Sequence, residues 1–448
     1  MNQIQSSPGN RFVSVLAALL GMAALGLHST QAANVFWDVN GAAAGTGATP
    51  NGTWDGVNVF WSITSGGTTV PGLTTVGSAN DGFFSAGTDA TGIYNVTVSG
   101  TQLANSLTFQ EGTPTLTGGT VQLTKATSSS GLVGSIVAAN TLNGMATVSS
   151  TILVNTTGGG TSLLKLIANN GSAATDLLVN GPIATTSSPD AYSLRLGGAG
   201  SGRIATSLAP AGVAFGGIQQ GNTTWSGTWT VAGNQTLGNA AIQFGSGTGF
   251  GAGAQLVMGD STADNQTWGS TLINNANAQL IVNSTAFMNA GLSVDGGSGG
   301  SMILNGSLDF ATTFGITVGS SGQLTLNNGS ALTLGIGTIG LNGAVAGNGT
   351  ALLDCALTLD LSAADLTSGN TWTVVSTSTL NETFGANFNV VGFSQAGLIW
   401  TKVDGGNTWT FDQGTGVLGL TVVPEPTAAT LLLGGIGALM IVQRRRSI

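Results

Sequence analysis

From Ile93 onward the chain consists of very short stretches in which apolar and polar residues alternate, separated by Gly, Asn, Ser or Thr. Tyr94, Val96 and Val98 alternate in this way. So do Leu107 and Phe109, Val121 and Leu123, Ile152 and Val154, Leu164 and Leu166, Leu177 and Val179, and Leu194 and Leu196. A period of two puts every apolar side chain on one face of an extended strand. No stretch repeats at helical spacing, so the elements predicted are brief strands, each buried on one side.

In the second half these strands fall into a register. Leu280, Ile303, Leu324 and Val345 head similar phrases, separated by 23, 21 and 21 residues. Such a period, with two or three strands per unit, suits one turn of a parallel β-helix in which each rung pairs with the next. Gly and Asn would occupy the corners, where tight bends need positive φ, and stacked asparagines can form ladders. A two-sheet sandwich would call for longer strands and fixed hairpin turns, which the sequence lacks.

Aromatic residues gather at both ends of this region. Phe36, Trp37, Trp54, Phe60, Trp61, Phe83 and Phe84 lie in 33–92, and Trp372, Phe384, Phe388, Trp400, Trp409 and Phe411 lie in 371–422. An open repeat array needs atypical terminal units to cover its core, and aromatic side chains bury most area per residue. The expected organisation is an aromatic N-terminal cap over 33–92, β-helical repeats over 93–370 and a C-terminal β cap over 371–422. Trp54 and Trp61 also carry a sharper expectation, stacking against sugar rings.

Composition supports an all-β chain. Gly supplies 73 of 448 residues and only 6% are charged, which leaves no polar face for amphipathic helices. Hydrophobic content of 41% still allows a continuous apolar interior. Between Ala33 and Val423, five basic residues (Lys125, Lys165, Arg195, Arg203 and Lys402) face seventeen acids, a net charge of −12 that argues against a nucleic acid partner.

The two ends carry targeting signals. Arg11 precedes an uncharged run from Phe12 to Leu27, then Thr30-Gln31-Ala32, the pattern of a secretory signal helix (1–32) cleaved after Ala32; a retained transmembrane helix is the alternative. At the other end, Pro424-Glu425-Pro426 precedes an uncharged stretch from Thr427 to Val442, followed by Arg444, Arg445 and Arg446. The prolines delay helix formation and keep Glu425 in an extended, accessible segment. The seventeen residues to Gln443 would reach about 25 Å as a helix, and the arginines would stay on the cytoplasmic side and snorkel.

This order of motif, transmembrane helix and basic cluster resembles the PEP-CTERM sorting signal of Gram-negative bacteria, over 423–448. The resemblance implies recognition of Pro424, Glu425 and Pro426 by an exosortase, a membrane-embedded cysteine transpeptidase, and delivery to the surface or its exopolysaccharide. A plain single-pass anchor is the alternative. In the body, Gly216-Gly217-Ile218-Gln219-Gln220-Gly221, Thr228-Trp229-Thr230-Val231 and Gly233-Asn234-Gln235-Thr236-Leu237-Gly238 resemble the autotransporter-associated β-strand repeat. Asn34–Gly41 and Asp81–Gly92 are similar to the opening segments of surface proteins carrying it. That family implies a right-handed β-helix displayed outside the cell.

Catalytic chemistry is sparse. The only histidine, His28, lies within the signal, and Cys355 is the only cysteine, set among Leu352, Leu353 and Leu357 as a buried small hydrophobe. Gly296 to Gly300 matches G-x-S-x-G around Ser298 and Gly335 to Gly340 matches G-x-G-x-x-G, but neither joins a strand to a helix, and both are expected of a glycine-rich chain. Asp295-Gly296-Gly297 is a single inverted copy of a calcium β-roll phrase. No cofactor or metal is expected. Asp354, Asp360 and Asp365 are the carboxylates close enough in sequence to serve a β-helical polysaccharide-degrading enzyme.

The expectation is therefore a non-catalytic exported protein, structural or adhesive. It would be anchored transiently in the inner membrane through its C-terminal helix and then sorted to the cell surface or extracellular matrix, with exopolysaccharide as a partner. Carbohydrate binding or polysaccharide cleavage is the alternative.

Overall fold

The computed structural model describes residues 32–124, 132–155, 162–171, 174–186, 191–244, 251–295, 299–311 and 313–422, together with Gly435, Ile436, Ile441 and Arg445. Between 32 and 422 the described residues form strands and turns only. The expected signal and most of 423–448 lie outside the described residues. Among those described, no helix is long and apolar enough to cross a membrane.

The strands gather into long parallel sheets of sixteen, thirteen and seven described strands, with an antiparallel sheet of five at the C-terminal end. The chain visits the three parallel sheets in rotation. Thr228–Val231 lies in the second, Gln235–Thr236 in the third and Ala241–Phe244 in the first; Ala254–Met258 then returns to pair, parallel, with Thr228–Val231. The same rotation continues to Asn389–Val390. In the first half, the long strand Thr101–Phe109 serves two rows. Its first four residues pair with Thr120–Leu123 and its last three with Leu132–Ala138. These long parallel sheets are consistent with a β-helix or solenoid, in which each short strand reaches its parallel partner through a full circuit of the chain.

Period-two burial holds in most strands; Ser162–Ala168 and Ala191–Gly198 are buried on both faces except at Lys165, Ala191 and Arg195. Ala278–Val282 buries Ala278, Leu280 and Val282 and turns Gln279 and Ile281 outward. The inward side chains form one continuous cluster from Val35 to Leu420. Outward residues also stack: Gln255 donates to Gln279 at 2.8 Å and Gln279 to Ser301 at 3.1 Å.

The register differs from the sequence-derived one. Leu280 stands opposite Met302, and Met302 opposite Leu324, so the buried column advances by 22 residues at each step. Ile303 is one residue out of phase and lies on the outer face beside Ile281. Val345 belongs to another sheet, where it pairs with Ile316, while Leu324 is followed by Ala351. The reason is an insertion in that turn. Gly337 N donates to Leu341 O at 2.9 Å and Gly343 N to Gly335 O at 2.8 Å, making a small hairpin that lengthens the rung. The G-x-G-x-x-G phrase is this hairpin.

Both ends are closed by aromatics. At the N-terminal end, Trp61 meets Trp37, Trp54 and Phe84 edge-on at ring centroid separations of 5.3, 5.2 and 5.4 Å, and Phe84 stacks on Phe109 at 4.9 Å. At the other end, Thr371–Thr373, Val417–Val422, Asn407–Asp412, Ile399–Asp404 and Ser394–Ala396 form the antiparallel sheet. It packs Trp400 against Phe388 at 5.8 Å and Trp409 against Trp372 at 5.7 Å. Replacing parallel pairing with hairpins ends the stack, because no further rung is offered for pairing on that side.

Candidate functional site

Of the sequence-predicted sorting residues, Pro424, Glu425, Pro426, Arg444 and Arg446 lie outside the described residues. Arg445 is exposed and helical in its backbone. Ser298 also lies outside them.

Trp54 and Trp61 do not offer a surface to a sugar, which corrects the expectation placed on them. Trp54 is 1% exposed and Trp61 0%, and their rings are enclosed by the aromatic cluster of the N-terminal end. The cause is volume. A terminal rung lacks a neighbour to fill its interior, so the largest side chains turn inward.

Asp354, Asp360 and Asp365 do not form a common site. Asp354 accepts from Asn387 N at 2.7 Å and from Asn387 Nδ2 at 3.0 Å. Asp360 accepts from Ser362 N at 3.0 Å and Asp365 from Thr367 N at 3.0 Å, each closing its own turn two residues on. The Thr367 hydroxyl and backbone amide hold the Asp365 carboxyl below the usual range. The Asp360 and Asp365 bonds are of the local kind that makes Asp common at corners.

Asp360 nevertheless borders a cleft of about 540 Å³ where the third parallel sheet meets the antiparallel one, together with Asp309, Thr333, Thr358, Lys402 and Asp404. The column Phe287, Asp309, Thr333 and Thr358 is fixed by strand register, one residue per rung along the outer face. Phe287 leaves 39% of its surface exposed in the same column. Burial pushes the Asp309 carboxyl up, and the neighbouring charge of Asp360 acts in the same sense. Lys402 Nζ lies 3.9 Å from Asp404 Oδ2, both on the strand Ile399–Asp404. Two carboxyl groups in different surroundings, one with a raised pKa, are the elements of acid and base work on a glycosidic bond.

Sequence reasoning missed Asp309, Lys402 and Asp404. A signal was present at Asp309, a charge at an outward strand position between Leu308 and Phe310 in a chain with very few charges. Lys402 and Asp404 reach the cleft only through the packing of the C-terminal sheet, which no local pattern announces.

Cys355 is 2% exposed, and burial pushes its thiol up to about 12. Asp295, next to the glycine-rich phrase, accepts from Gly299 N at 2.6 Å and from Ser321 N at 2.7 Å, bracing two successive turns. Among the described residues no three His, Cys, Asp or Glu side chains converge as metal ligands would.

Compared with known proteins, the chain matches no family model, no curated protein and no solved structure.

Proposed function

We propose that this chain is a non-catalytic exported protein of the cell surface or extracellular matrix. It would be a right-handed, end-capped β-helical rod that is structural or adhesive in role and sorted by an exosortase acting on Pro424-Glu425-Pro426. The observation that carries the non-catalytic part is the use made of its polar groups. Asp360 and Asp365 close turns and Asp354 braces Asn387 across to a distant segment, while Gln255, Gln279 and Ser301, and separately Asn283, Asn305 and Asn327, bond to one another along the outside. Such groups build a rigid surface and leave few for chemistry. The sorting part rests on the C-terminal order of proline motif, apolar stretch and three arginines.

Expression in hosts with and without an exosortase, followed by intact-mass measurement, tests the sorting. Loss of 423–448 only in the exosortase host is expected, and an uncut tail in both hosts would refute processing. Hydrolysis or lyase activity of the purified chain on any matrix glycan would refute the non-catalytic role.

The cleft beside Asp309 favours one second reading, glycan binding or cleavage at the junction of rod and terminal sheet. Turnover abolished by Asp309→Asn would select it.

A further inference from the structure

Lys165 and Arg195 are paired directly across neighbouring parallel strands of the first sheet, Ser162–Ala168 and Ala191–Gly198. Their flanking residues Leu164, Leu166, Leu194 and Leu196 are all 0% exposed in the core, so both cations point outward, one rung or about 4.8 Å apart. Like charges placed opposite each other destabilise a sheet. Elsewhere on the described surface this chain avoids such a placement: Arg203 is bonded to Asp260 and Lys402 lies beside Asp404. Lys165 and Arg195 have no carboxylate partner among the described residues, and Arg195 Nε is buried with no hydrogen-bond acceptor.

The floor around the pair is dry. Leu163 and Ile167, which flank Lys165 on the same outer face, are only 7% and 8% exposed. Burial pulls the Lys165 ammonium down, and the Arg195 charge adds to it. An anion at this point would remove the repulsion and gain strength from the low local dielectric.

The row continues in register with uncharged hydrogen-bonding groups. Ser135 precedes Lys165, while Gln219 and then Gln243 follow Arg195, one residue per rung. A linear ligand lying along this row would meet hydroxyl and amide groups on both sides of a single cationic step. That pattern fits a polymer rich in hydroxyls with widely spaced anionic groups. A densely charged phosphate polymer would be repelled by the net negative body.

We infer that Lys165 and Arg195 form an anion-binding step for an acidic polysaccharide, one that places a sugar carboxylate or sulfate between them and aligns the chain on Ser135, Gln219 and Gln243. The inference rests on the rod's outer face and not on the tail, so an uncut tail would leave it standing.

The test uses the full chain in detergent, with immobilised hyaluronate and κ-carrageenan, each with one anionic group per disaccharide, and neutral dextran and polyuridylate as probes. Binding to at least one acidic glycan and none to neutral dextran is expected. K165Q/R195Q should weaken glycan binding by about tenfold, and R203Q should change it by less than about twofold. The double variant should melt no lower than the parent, because a repulsion has been removed. The inference is overturned if the double variant binds as the parent does, if R203Q loses as much affinity, or if the double variant melts lower. It is equally overturned if the parent binds neither acidic glycan, binds neutral dextran equally well, or prefers polyuridylate.

Discussion

Asn327 donates through Nδ2 to the Oδ1 of Asn305 at 2.6 Å, and Asn305 donates in the same way to Asn283 at 2.8 Å. The three residues each follow the last core residue of a strand, Val282, Leu304 and Leu326, so the coil places identical amides one above another. Asn305→Ala removes both bonds at once. Because the ladder is exposed, the cost is modest, about 1 kcal/mol. A thermal melt of the purified chain should show a small downward shift, and no shift would mean that water replaces the ladder without loss.

A larger effect is expected inside. A Cβ on Gly202 would stand 2.4 Å from the ring atoms of Trp229, which is fully buried and donates through Nε1 to Gly197 O at 3.0 Å. Neither the ring nor the backbone beneath it can move without breaking that bond. Gly202→Ala should destabilise by about 2 kcal/mol and change the near-ultraviolet circular dichroism that Trp229 contributes. Unchanged dichroism with an unchanged melt would contradict the packing.

Much of this was legible in the sequence. The alternation around Val121, Leu164 and Leu194 gives strand positions and inward faces directly, because period two has no other geometric solution in short stretches. The parallel pairing followed from the absence of hairpin turns. The rung length was less legible. Corner insertions such as the Gly335–Gly343 hairpin change the spacing without changing the core, so Ala351 and not Val345 follows Leu324, while two adjacent apolar residues, Met302 and Ile303, leave open which of them faces inward. Side-chain destination was least legible where composition was unusual. Trp54 and Trp61 lie among glycines that would suit either an exposed platform or a packed end, and only the missing neighbour rung decides it. The cleft at Asp309 depends on contact between segments about a hundred residues apart in sequence, as does any site built by tertiary packing.

Cys355 should behave as an inert core residue. With its thiol 2% exposed and pushed up to about 12, almost no thiolate exists at neutral pH. A maleimide should leave the native chain unlabelled over a time in which the denatured chain is labelled fully. Cys355→Ser should lower stability by about 1–2 kcal/mol through a buried hydroxyl, and rapid native labelling would show that the last rungs open.

The pH dependence of stability should be governed by carboxyl groups in unfavourable surroundings. Asp38 is 0% exposed, and its Oδ2 lacks a hydrogen-bond partner; burial pushes its pKa up, and the charge of Asp89 adds to this. Burial also raises Glu111 and Asp309. For a carboxyl raised on folding, the protonated form is favoured in the native state. Its contribution is complete below the ordinary value, 3.8 for Asp, and is lost as pH rises through the raised folded value. The lowered carboxyls Asp55, Asp260 and Asp365 act oppositely, losing their contribution as pH falls through their depressed values below 3.8. The melting temperature should therefore peak in mild acid and decline towards neutrality. Asp38→Asn removes one of the buried charges, so it should raise the melting temperature near neutral pH by about 2 °C and flatten the decline. Below the ordinary carboxyl value of 3.8, where the contribution of the raised Asp38 is complete, the difference between variant and parent should disappear. A variant that is less stable than the parent at neutral pH would mean that the Asp38 carboxylate is held by favourable contacts, contrary to its unpartnered Oδ2.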